Sequence, residues 1–347
     1  ACPFKFFASR GLAAEERKRF QLDARERGSF QHEVLNLFHR ELAGAGLRWR
    51  DISPTQARER IRRIGRELLS TYEGGLFLAD EARRFSGELL LESLETLIEV
   101  LVGWMTQYGF DPAQVEVGFG LTGASLPAWR LDLDQGHTLV LRGRIDRVDL
   151  RRDEASGTAF AVVLDYKSSA QKPDRLKLYH GLQLQLPAYL AALEHLPEAP
   201  AEFQARRWLS VGAFYVNLRG EFHSAKSRAE ALTDPGAGLR KGYQHFGRYD
   251  RDHRDQLDHL RLGEQFKLSD RTSDPMDSAA FRALLDRTVE NLRRFGSEIY
   301  AGKIQPEPYR KGNETACQRC EFAAICRFDP WTQPFRPLPA PPPGSKP

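Results

Sequence analysis

The chain has 347 residues, of which 41% are hydrophobic and 28% are charged, and this composition is ordinary for a folded protein. The formal net charge of +4 permits a nucleic-acid partner without favouring one, because a local basic groove matters more than the sum. No run of about eighteen apolar residues and no charged-then-apolar leader occurs, so we expect no membrane span, no signal peptide and a cytoplasmic location. Because the chain starts at Ala1 without an initiator Met, we expect a fragment or a processed product.

The first third of the chain has the periodicity of helices. Apolar residues recur at steps of three and four, as in Leu90, Leu94, Leu97 and Leu101. We therefore expect a helical block over about residues 23–110. Its helices are predicted at about 23–45, 54–72 and 79–108.

The pattern then changes to short β-rich runs that are separated by turns. We predict strands at about 115–120, 128–133, 138–150, 159–167 and 209–218. The turn composition of residues 151–158 makes a hairpin of the two strands that flank it. A helix at about 183–193 and a long helix at about 279–301 complete the prediction.

These elements predict one domain over residues 1–329. After the helical block we expect a core at about 113–218, a polar and weakly periodic excursion at about 219–274, and a C-terminal helix with a cysteine motif at about 279–329. Residues 330–347 are rich in proline, and we expect a disordered or polyproline tail there.

Charged residues converge in the predicted hairpin. The turn places Asp146 opposite about position 163, which makes Asp165 a diagonal neighbour at roughly 7–8 Å. Asp165 and Lys167 share a face because side chains alternate along a strand, whereas Asp149 points the other way. Two close carboxylates repel each other and favour a cation between them, and such oxygen ligands suit Mg²⁺ or Mn²⁺. The alternative is a surface hairpin with an ordinary ion pair, which an isolated D-x-K tripeptide would favour.

The four cysteines lie at opposite ends of the chain. Cys317, Cys320 and Cys326 have the spacing C-x2-C-x5-C, and Cys2 stands at the start. Four thiolates are a complete ligand set for a [4Fe–4S] cluster or for a tetrahedral Zn²⁺. Disulfides are a third option, but nothing in the sequence points to secretion.

The acidic hairpin resembles a known nuclease core. GRIDRVD at residues 143–149 and VLDYKSS at residues 163–169 resemble the PD-(D/E)XK nuclease core of the RecB-like family. The resemblance implies an α/β, restriction-endonuclease-like fold, with a mixed central sheet flanked by helices and preceded by the helical block. It also implies metal-dependent hydrolysis of DNA.

The same resemblance implies roles for particular residues. The metal ligands that it implies are His32, Asp146, Asp165 and the main-chain carbonyl of Tyr166. The catalytic set that it implies is Asp146, Asp165, Lys167, Gln185 and Tyr189.

Two further motifs support this assignment. RGSFQHEVL at residues 27–35 resembles the family's G-x-x-x-H helix, although one His on an amphipathic helix is more often structural. QLPAY resembles the Q-x-x-x-Y motif, and Gln185 and Tyr189 share a helix face because they are four residues apart. The alternative is a half-buried helix on which the Gln and the Tyr are incidental. Glu116 lies where some relatives carry an acidic residue, but an exposed strand Glu explains it as well.

The split cysteine set narrows the resemblance. CPFKFF at the start and CQRCEFAAICR near the end are similar to the cysteine set of AddB-type subunits of bacterial AddAB helicase–nucleases. This implies a structural [4Fe–4S] cluster, with Zn²⁺ less favoured, that ties together the two ends of the domain. It also implies DNA as the substrate, an AddA-like partner subunit and double-strand break processing in recombinational repair in the bacterial cytoplasm.

Other functions remain open from the sequence. A stand-alone exonuclease of the CRISPR-adaptation type has a related cysteine set, and a non-catalytic module that clamps DNA or a partner would need no chemistry. No G-x-x-x-x-G-K-[ST] motif occurs, so we expect no ATP binding by this chain. The basic residues that flank the motifs either hold phosphates or form a solvated surface; they are Arg144, Lys172, Arg175, Lys177 and His180.

Overall fold

The computed structural model describes residues 2–15, 22–124, 126–169, 171–196, 207–220, 227–233, 236–253, 265, 275–318 and 320–341. The α-helices in this part of the chain are α1 (Pro3–Phe6), α2 (Ala24–Gly44), α3 (Pro54–Thr71), α4 (Glu81–Trp104), α5 (Arg175–Tyr179), α6 (Gln185–Glu194), α7 (Arg228–Thr233), α8 (Ala237–Gly242), α9 (Ser278–Tyr300) and α10 (Ala323–Cys326). The strands are β1 (Asp111–Phe119), β2 (Trp129–Asp132), β3 (Thr138–Leu141), β4 (Gly143–Asp153), β5 (Thr158–Lys167), β6 (Arg207–Asn217), β7 (Phe246–Asp250), β8 (Pro275–Met276), β9 (Tyr309–Lys311), β10 (Glu314–Thr315) and β11 (Arg336–Pro337).

Side-chain caps mark the first residues of the three helices in the helical block. The carboxylate of Asp23 accepts hydrogen bonds from two backbone N–H groups in the first turn of α2. Ser53 and Gln56 form a capping box at the start of α3, and Asp80 caps α4. The predicted starts of these helices therefore fall within two residues of the observed ones. α4 ends at Trp104, about four residues before its predicted end.

The central sheet is mixed and has the strand order β1-β4-β5-β6-β7-β8. β4 pairs antiparallel with both β1 and β5, while β5 and β6 are parallel. Helices cover both faces, so the predicted α/β class is confirmed. The two faces alternate along β5: Val162 and Leu164 pack toward the helical block, whereas Ala161 and Val163 pack with α6 and α9.

One predicted strand is two strands. Residues 138–150 were expected to be continuous, but β3 pairs with β2 in a separate two-stranded sheet and β4 pairs with β1. The chain leaves extended pairing at Arg142, and the ring of Phe119 lies against Gly143, where a Cβ would be 2.7 Å from it. The alternation of apolar and polar residues continues through this stretch, so the sequence does not show that the chain changes its partner strand there.

The hairpin has a different register from the one predicted. Val148, not Asp146, lies opposite Val163. The prediction was wrong by two residues, because the turn is centred later than its composition suggests. A shift of two residues keeps every side chain on its face, and the expected facing of the acidic residues is therefore correct.

The predicted excursion contributes to the core. Residues 246–250 form β7, which pairs with β6 in the central sheet, so the region is more than a surface insertion. Residues 221–226, 234–235, 254–264 and 266–274 of that region lie outside the described residues.

The C-terminal region forms a small lobe, called here the cysteine lobe (residues 2–11, 308–318 and 320–341). Its three-stranded sheet has the order β10-β9-β11. The prediction of a disordered tail from residue 330 is wrong for residues 330–341, because β11 pairs with β9 and Phe335 packs on Phe328 with ring centroids 5.0 Å apart. Residues 342–347 lie outside the described residues.

Among the helices that the structure describes, none combines the length and the apolar character that crossing a bilayer requires.

Candidate active site and cysteine site

Three carboxylates lie in one row across neighbouring strands. Glu116 and Asp146 lie between the paired residues Val115–Arg147 and Val117–Ile145 of β1 and β4. Asp146 and Asp165 come directly after the pair Arg147–Leu164 of β4 and β5, so the same register continued by one residue puts them side by side. Residues on one row of a sheet have side chains within about 4.5–5.5 Å of their neighbours. The sheet therefore concentrates negative charge at one place.

His32 reaches this row from α2. Its Nδ1 lies 3.6 Å from Oε1 of Glu116 and 3.7 Å from Oδ2 of Asp146. The potential ligand atoms of these three residues all lie within 4.8 Å of one another, as expected for residues that hold one ion. Helix α2 thus carries the imidazole to the sheet, although His32 is far from the hairpin in sequence.

Glu116 has an unusual backbone. Its φ of 52° lies in the left-handed region, which a glutamate in a strand rarely adopts. Such a conformation costs on the order of 1–3 kcal/mol and is found most often at functional sites. The guanidinium of Arg144 lies 3.3 Å from Oε2 of Glu116, so this carboxylate has a cationic neighbour on one side and His32 on the other.

Asp165 lies at the buried end of the row. Its side chain is fully buried. The ammonium of Lys167 forms an ion pair with it, with Nζ 2.5 Å from Oδ2. This cation offsets part of the cost of burying the Asp165 carboxylate.

Lys167 is held by a chain of polar groups. Its Nζ donates to Oε1 of Gln185 at 3.0 Å, and Nε2 of Gln185 donates to the hydroxyl of Tyr189 at 3.1 Å. Gln185 and Tyr189 stand on the same face of α6 because they are one helical turn apart. The structure therefore brings both residues of the Q-x-x-x-Y motif to the acidic row.

The buried carboxylates of the row have raised pKa values. Burial, and then the neighbouring Asp165, raise the pKa of Asp146 to about 7. Burial raises the pKa of Asp165 as well. Burial lowers the pKa of His32, but the carboxylates of Glu116 and Asp146 outweigh this and raise it overall. Carboxylate oxygens with one imidazole are a donor set that fits a divalent ion such as Mg²⁺ or Mn²⁺.

Tyr166 touches the row through its backbone. Its N–H donates to Oδ2 of Asp146 at 2.8 Å, while its side chain lies in the core on the opposite face of the sheet. Asp149 also faces away from the row, and it forms a buried ion pair with Arg147. Its exclusion from the acidic site agrees with the alternation argument.

The four cysteines line one pocket in the cysteine lobe. Cys2, Cys317, Cys320 and Cys326 surround a cavity of about 130 Å³, and all four are free thiols. Burial raises the pKa of the Cys317 thiol, and the other three sulfurs raise it further. The two ends of the chain therefore meet at this pocket.

The cysteine thiols form a complete donor set. Four thiols around one pocket fit a [4Fe–4S] cluster or a tetrahedral Zn²⁺.

Comparison with known proteins identifies the family. A family model described as the PD-(D/E)XK nuclease superfamily matches residues 1–327. The chain belongs to the PD-(D/E)XK nuclease superfamily.

The chain is similar to proteins named as the B subunit of an ATP-dependent helicase/deoxyribonuclease. It is 32% identical to the one from Moorella thermoacetica over 95% of this chain, and 33% identical to the one from Symbiobacterium thermophilum over 96%. The relative from Alkaliphilus metalliredigens is 26% identical over 94% of the chain. In each case the chain spans 29% of the relative's own length. The expected family resemblance is confirmed, and the stand-alone exonuclease is not favoured.

Glu116 is the site residue that sequence reasoning undervalued. The sequence showed a Glu in a predicted strand that could pair with the strand carrying Asp146. The alignment of these two strands, however, depends on a register shift between Pro112 and Gln114. The alternation of apolar and polar residues in the sequence predicts neither that irregularity nor the positive φ of Glu116.

Two of the flanking basic residues have other partners. Lys177 lies 2.6 Å from Oε1 of Glu314, and Nε2 of His180 lies 2.8 Å from the carbonyl oxygen of Pro339. Both contacts attach the cysteine lobe to the region of α5. Arg144 also has a partner, Glu116, but this contact places its guanidinium beside the acidic row.

Proposed function

We propose that this chain is a metal-dependent deoxyribonuclease that hydrolyses phosphodiester bonds as the nuclease part of a helicase–nuclease. The observation that carries the proposal is the row of Glu116, Asp146 and Asp165, with Lys167 at its buried end. The arrangement joins a cation site to a positioned ammonium group, as hydrolysis of a charged ester requires.

Mg²⁺ or Mn²⁺ would be held by Asp146 and Asp165, together with His32, Glu116 and the main-chain carbonyl of Tyr166. When bound, such an ion lowers the pKa of a coordinated water and neutralises charge on the phosphate. The support for this ligand set is the short distances among His32, Glu116 and Asp146 and the burial of the Asp165 carboxylate near that of Asp146.

Lys167 would orient the attacking water or stabilise the charge that develops on the phosphate. Its ammonium is already fixed between Asp165 and Gln185, so it needs little reorganisation. Burial raises the pKa of Tyr189 to about 12, which keeps its hydroxyl protonated and able to donate at neutral pH. Gln185 and Tyr189 would then hold Lys167 in place or contact the DNA backbone.

The cysteine site would hold a [4Fe–4S] cluster with a structural role, with Zn²⁺ as the less favoured occupant. The support is the complete set of four thiols around one pocket. In this proposal the nuclease domain extends beyond residue 329, because β11 belongs to the cysteine lobe.

The names of the relatives supply the proposed partners. They are called subunits of an ATP-dependent helicase/deoxyribonuclease, so DNA and an AddA-like helicase subunit are the expected partners. Exonucleolytic double-strand break processing in recombinational repair is the cellular role that follows. ATP would be bound outside this chain.

A degradation assay on linear single- and double-stranded DNA with Mg²⁺ tests the proposal. We expect Asp146→Asn and Lys167→Ala each to lower the rate at least about 100-fold, because each removes a group that acts at the phosphate. Glu154→Gln is the matched control, since it removes an exposed carboxylate from the turn of the same hairpin. Wild-type rates in either site variant would refute the proposed function.

A further inference from the structure

A buried polar network lies on the back of the sheet, directly behind the acidic row. The guanidinium of Arg147 makes two hydrogen bonds of 2.6 Å to the carboxylate of Asp149, and both side chains are fully buried. Nη1 of Arg147 also donates to the hydroxyl of Tyr166 at 3.2 Å. The ring of Trp49 covers the guanidinium at 4.8 Å, which closes the network against the helical block.

The network and the acidic row share their backbone. Arg147 follows Asp146 on β4, and Tyr166 stands between Asp165 and Lys167 on β5. Because side chains alternate, the residues that face the network are the immediate neighbours of those that face the row. The network and the row are therefore attached to the same two stretches of backbone.

Tyr166 forms a hydrogen bond to β4 on each face of the sheet. On the front, its N–H donates to Oδ2 of Asp146; on the back, its hydroxyl accepts from Arg147. The two contacts join one residue of β5 to two successive residues of β4. The residue that accepts the N–H of Tyr166 is thus the chain neighbour of the residue that donates to its hydroxyl.

Stability alone does not explain such a network. A buried ion pair is weak support for a fold, because apolar residues of the same volume often stabilise a core as well or better. Its fixed hydrogen-bond geometry instead specifies one arrangement of the groups attached to it. Groups that hydrogen-bond to metal ligands typically change metal affinity about 10–100-fold, and the backbone N–H of Tyr166 is such a group for Asp146.

We propose that Tyr166 is a positioning residue of the metal site, and that its hydroxyl acts through the buried Arg147–Asp149 pair. The inference rests on the proposed function, because it assumes that the acidic row binds a divalent ion. It goes beyond the role of the Tyr166 main chain as a ligand, since it assigns the positioning of the metal ligands to the side-chain hydroxyl on the other face of the sheet.

Isothermal titration calorimetry with Mn²⁺ on the metal-depleted chain tests this proposal. Tyr166→Phe removes the hydroxyl and leaves the backbone N–H and the ring, and we expect it to weaken Mn²⁺ binding at least about tenfold. Tyr243→Phe is the matched control, because Tyr243 is a similarly buried tyrosine of the same core whose hydroxyl lies 3.5 Å from the carbonyl oxygen of Ser93. Its Mn²⁺ affinity should stay within twofold of wild type.

The outcomes separate the inference from the function on which it rests. If Tyr166→Phe binds Mn²⁺ like wild type, or if both Phe variants lose affinity equally, the positioning role is overturned while the metal site stands. If wild type fails to bind Mn²⁺, or if Asp146→Asn binds it equally well, the proposed metal site fails and the positioning role fails with it. Thermal melts of each variant identify any affinity loss that merely follows from unfolding.

Discussion

Asp146 is the residue whose chemistry depends most on its neighbours. It accepts a hydrogen bond from Tyr166, faces Glu116 and Asp165 across two strands, and is largely buried. Burial and the carboxylate of Asp165 hold its pKa at about 7 when no cation is present. A divalent ion would have to displace that proton, so we infer that metal binding strengthens as the pH rises toward 8.

The raised pKa predicts how the stability of the metal-free protein changes with pH. The unfolded chain releases the Asp146 proton near 3.8, whereas the folded chain keeps it until about pH 7. Between these two pH values the folded chain binds a proton at Asp146 that the unfolded chain has released. The stabilising contribution is therefore fully present below about pH 4, and it is lost as the pH rises through 7.

We expect Asp146→Asn to remove this decline of the free energy of unfolding between about pH 4 and 7, which is on the order of a few kcal/mol in wild type. Urea unfolding at several pH values between about 4 and 8, with a chelator present, measures it. Glu154→Gln, which alters an exposed carboxylate, should keep the wild-type slope. An unchanged slope in the Asn variant would show that Asp146 titrates normally.

At the scale of the elements, the hairpin of β4 and β5 was the most predictable part of the site. Alternation was enough to put Asp165 and Lys167 on one face and Asp149 on the other, because side-chain facing survives a register error of two residues. The direct opposition of Asp146 and Asp165 was not predictable, since it depends on where the turn closes.

Long-range placements were the least predictable from local patterns. His32 lies on α2 and reaches the sheet only through tertiary packing, so its position was implied by resemblance rather than by periodicity. Glu116 depends on a register irregularity and a left-handed φ in β1. β7 was missed because a polar, weakly periodic segment gives little sign that one of its parts joins a central sheet.

The pairing of β6 with β7 makes a prediction about one glycine. Gly247 lies opposite Phe214, and a Cβ on it would overlap the carbonyl oxygen of Ala213. The overlap is with backbone, which cannot move aside as a flexible side chain can. We expect Gly247→Ala to lower the free energy of unfolding by at least about 1–3 kcal/mol.

Gly103→Ala in α4 is the matched control for this variant. The added Cβ would make only an ordinary contact of 3.9 Å with Pro54, so the change should be neutral or stabilising by up to about 1 kcal/mol. Chemical denaturation of both variants checks the pair. Equal stability of the two would contradict the observed closeness of β6 and β7.

At the scale of the whole molecule, the cysteine lobe joins the two ends of the chain. Cys2 belongs to the first described residues, and Cys317, Cys320 and Cys326 follow the last long helix. A cluster held by all four would close a very long loop, which removes conformational entropy from the unfolded chain. Folding and cluster binding are then coupled.

This coupling predicts the behaviour of cysteine variants. The purified chain should contain about four iron atoms, as a [4Fe–4S] cluster requires, and Cys2→Ser should lose most of the iron and melt at a lower temperature. Ser9→Ala, which changes another small side chain near the start of the chain, should retain both iron content and melting temperature. Stoichiometric zinc without iron would refute the cluster.

The proposed hydrolysis depends on an ion bound at the row of carboxylates. Anomalous diffraction from crystals soaked in Mn²⁺ locates that ion directly, because Mn²⁺ scatters anomalously and Mg²⁺ at the same site does not give a usable signal. We predict a peak in contact with Asp146 and Asp165, within ligand distance of His32 or Glu116. Fully occupied Mn²⁺ elsewhere on the protein, with no peak between Asp146 and Asp165, would contradict it.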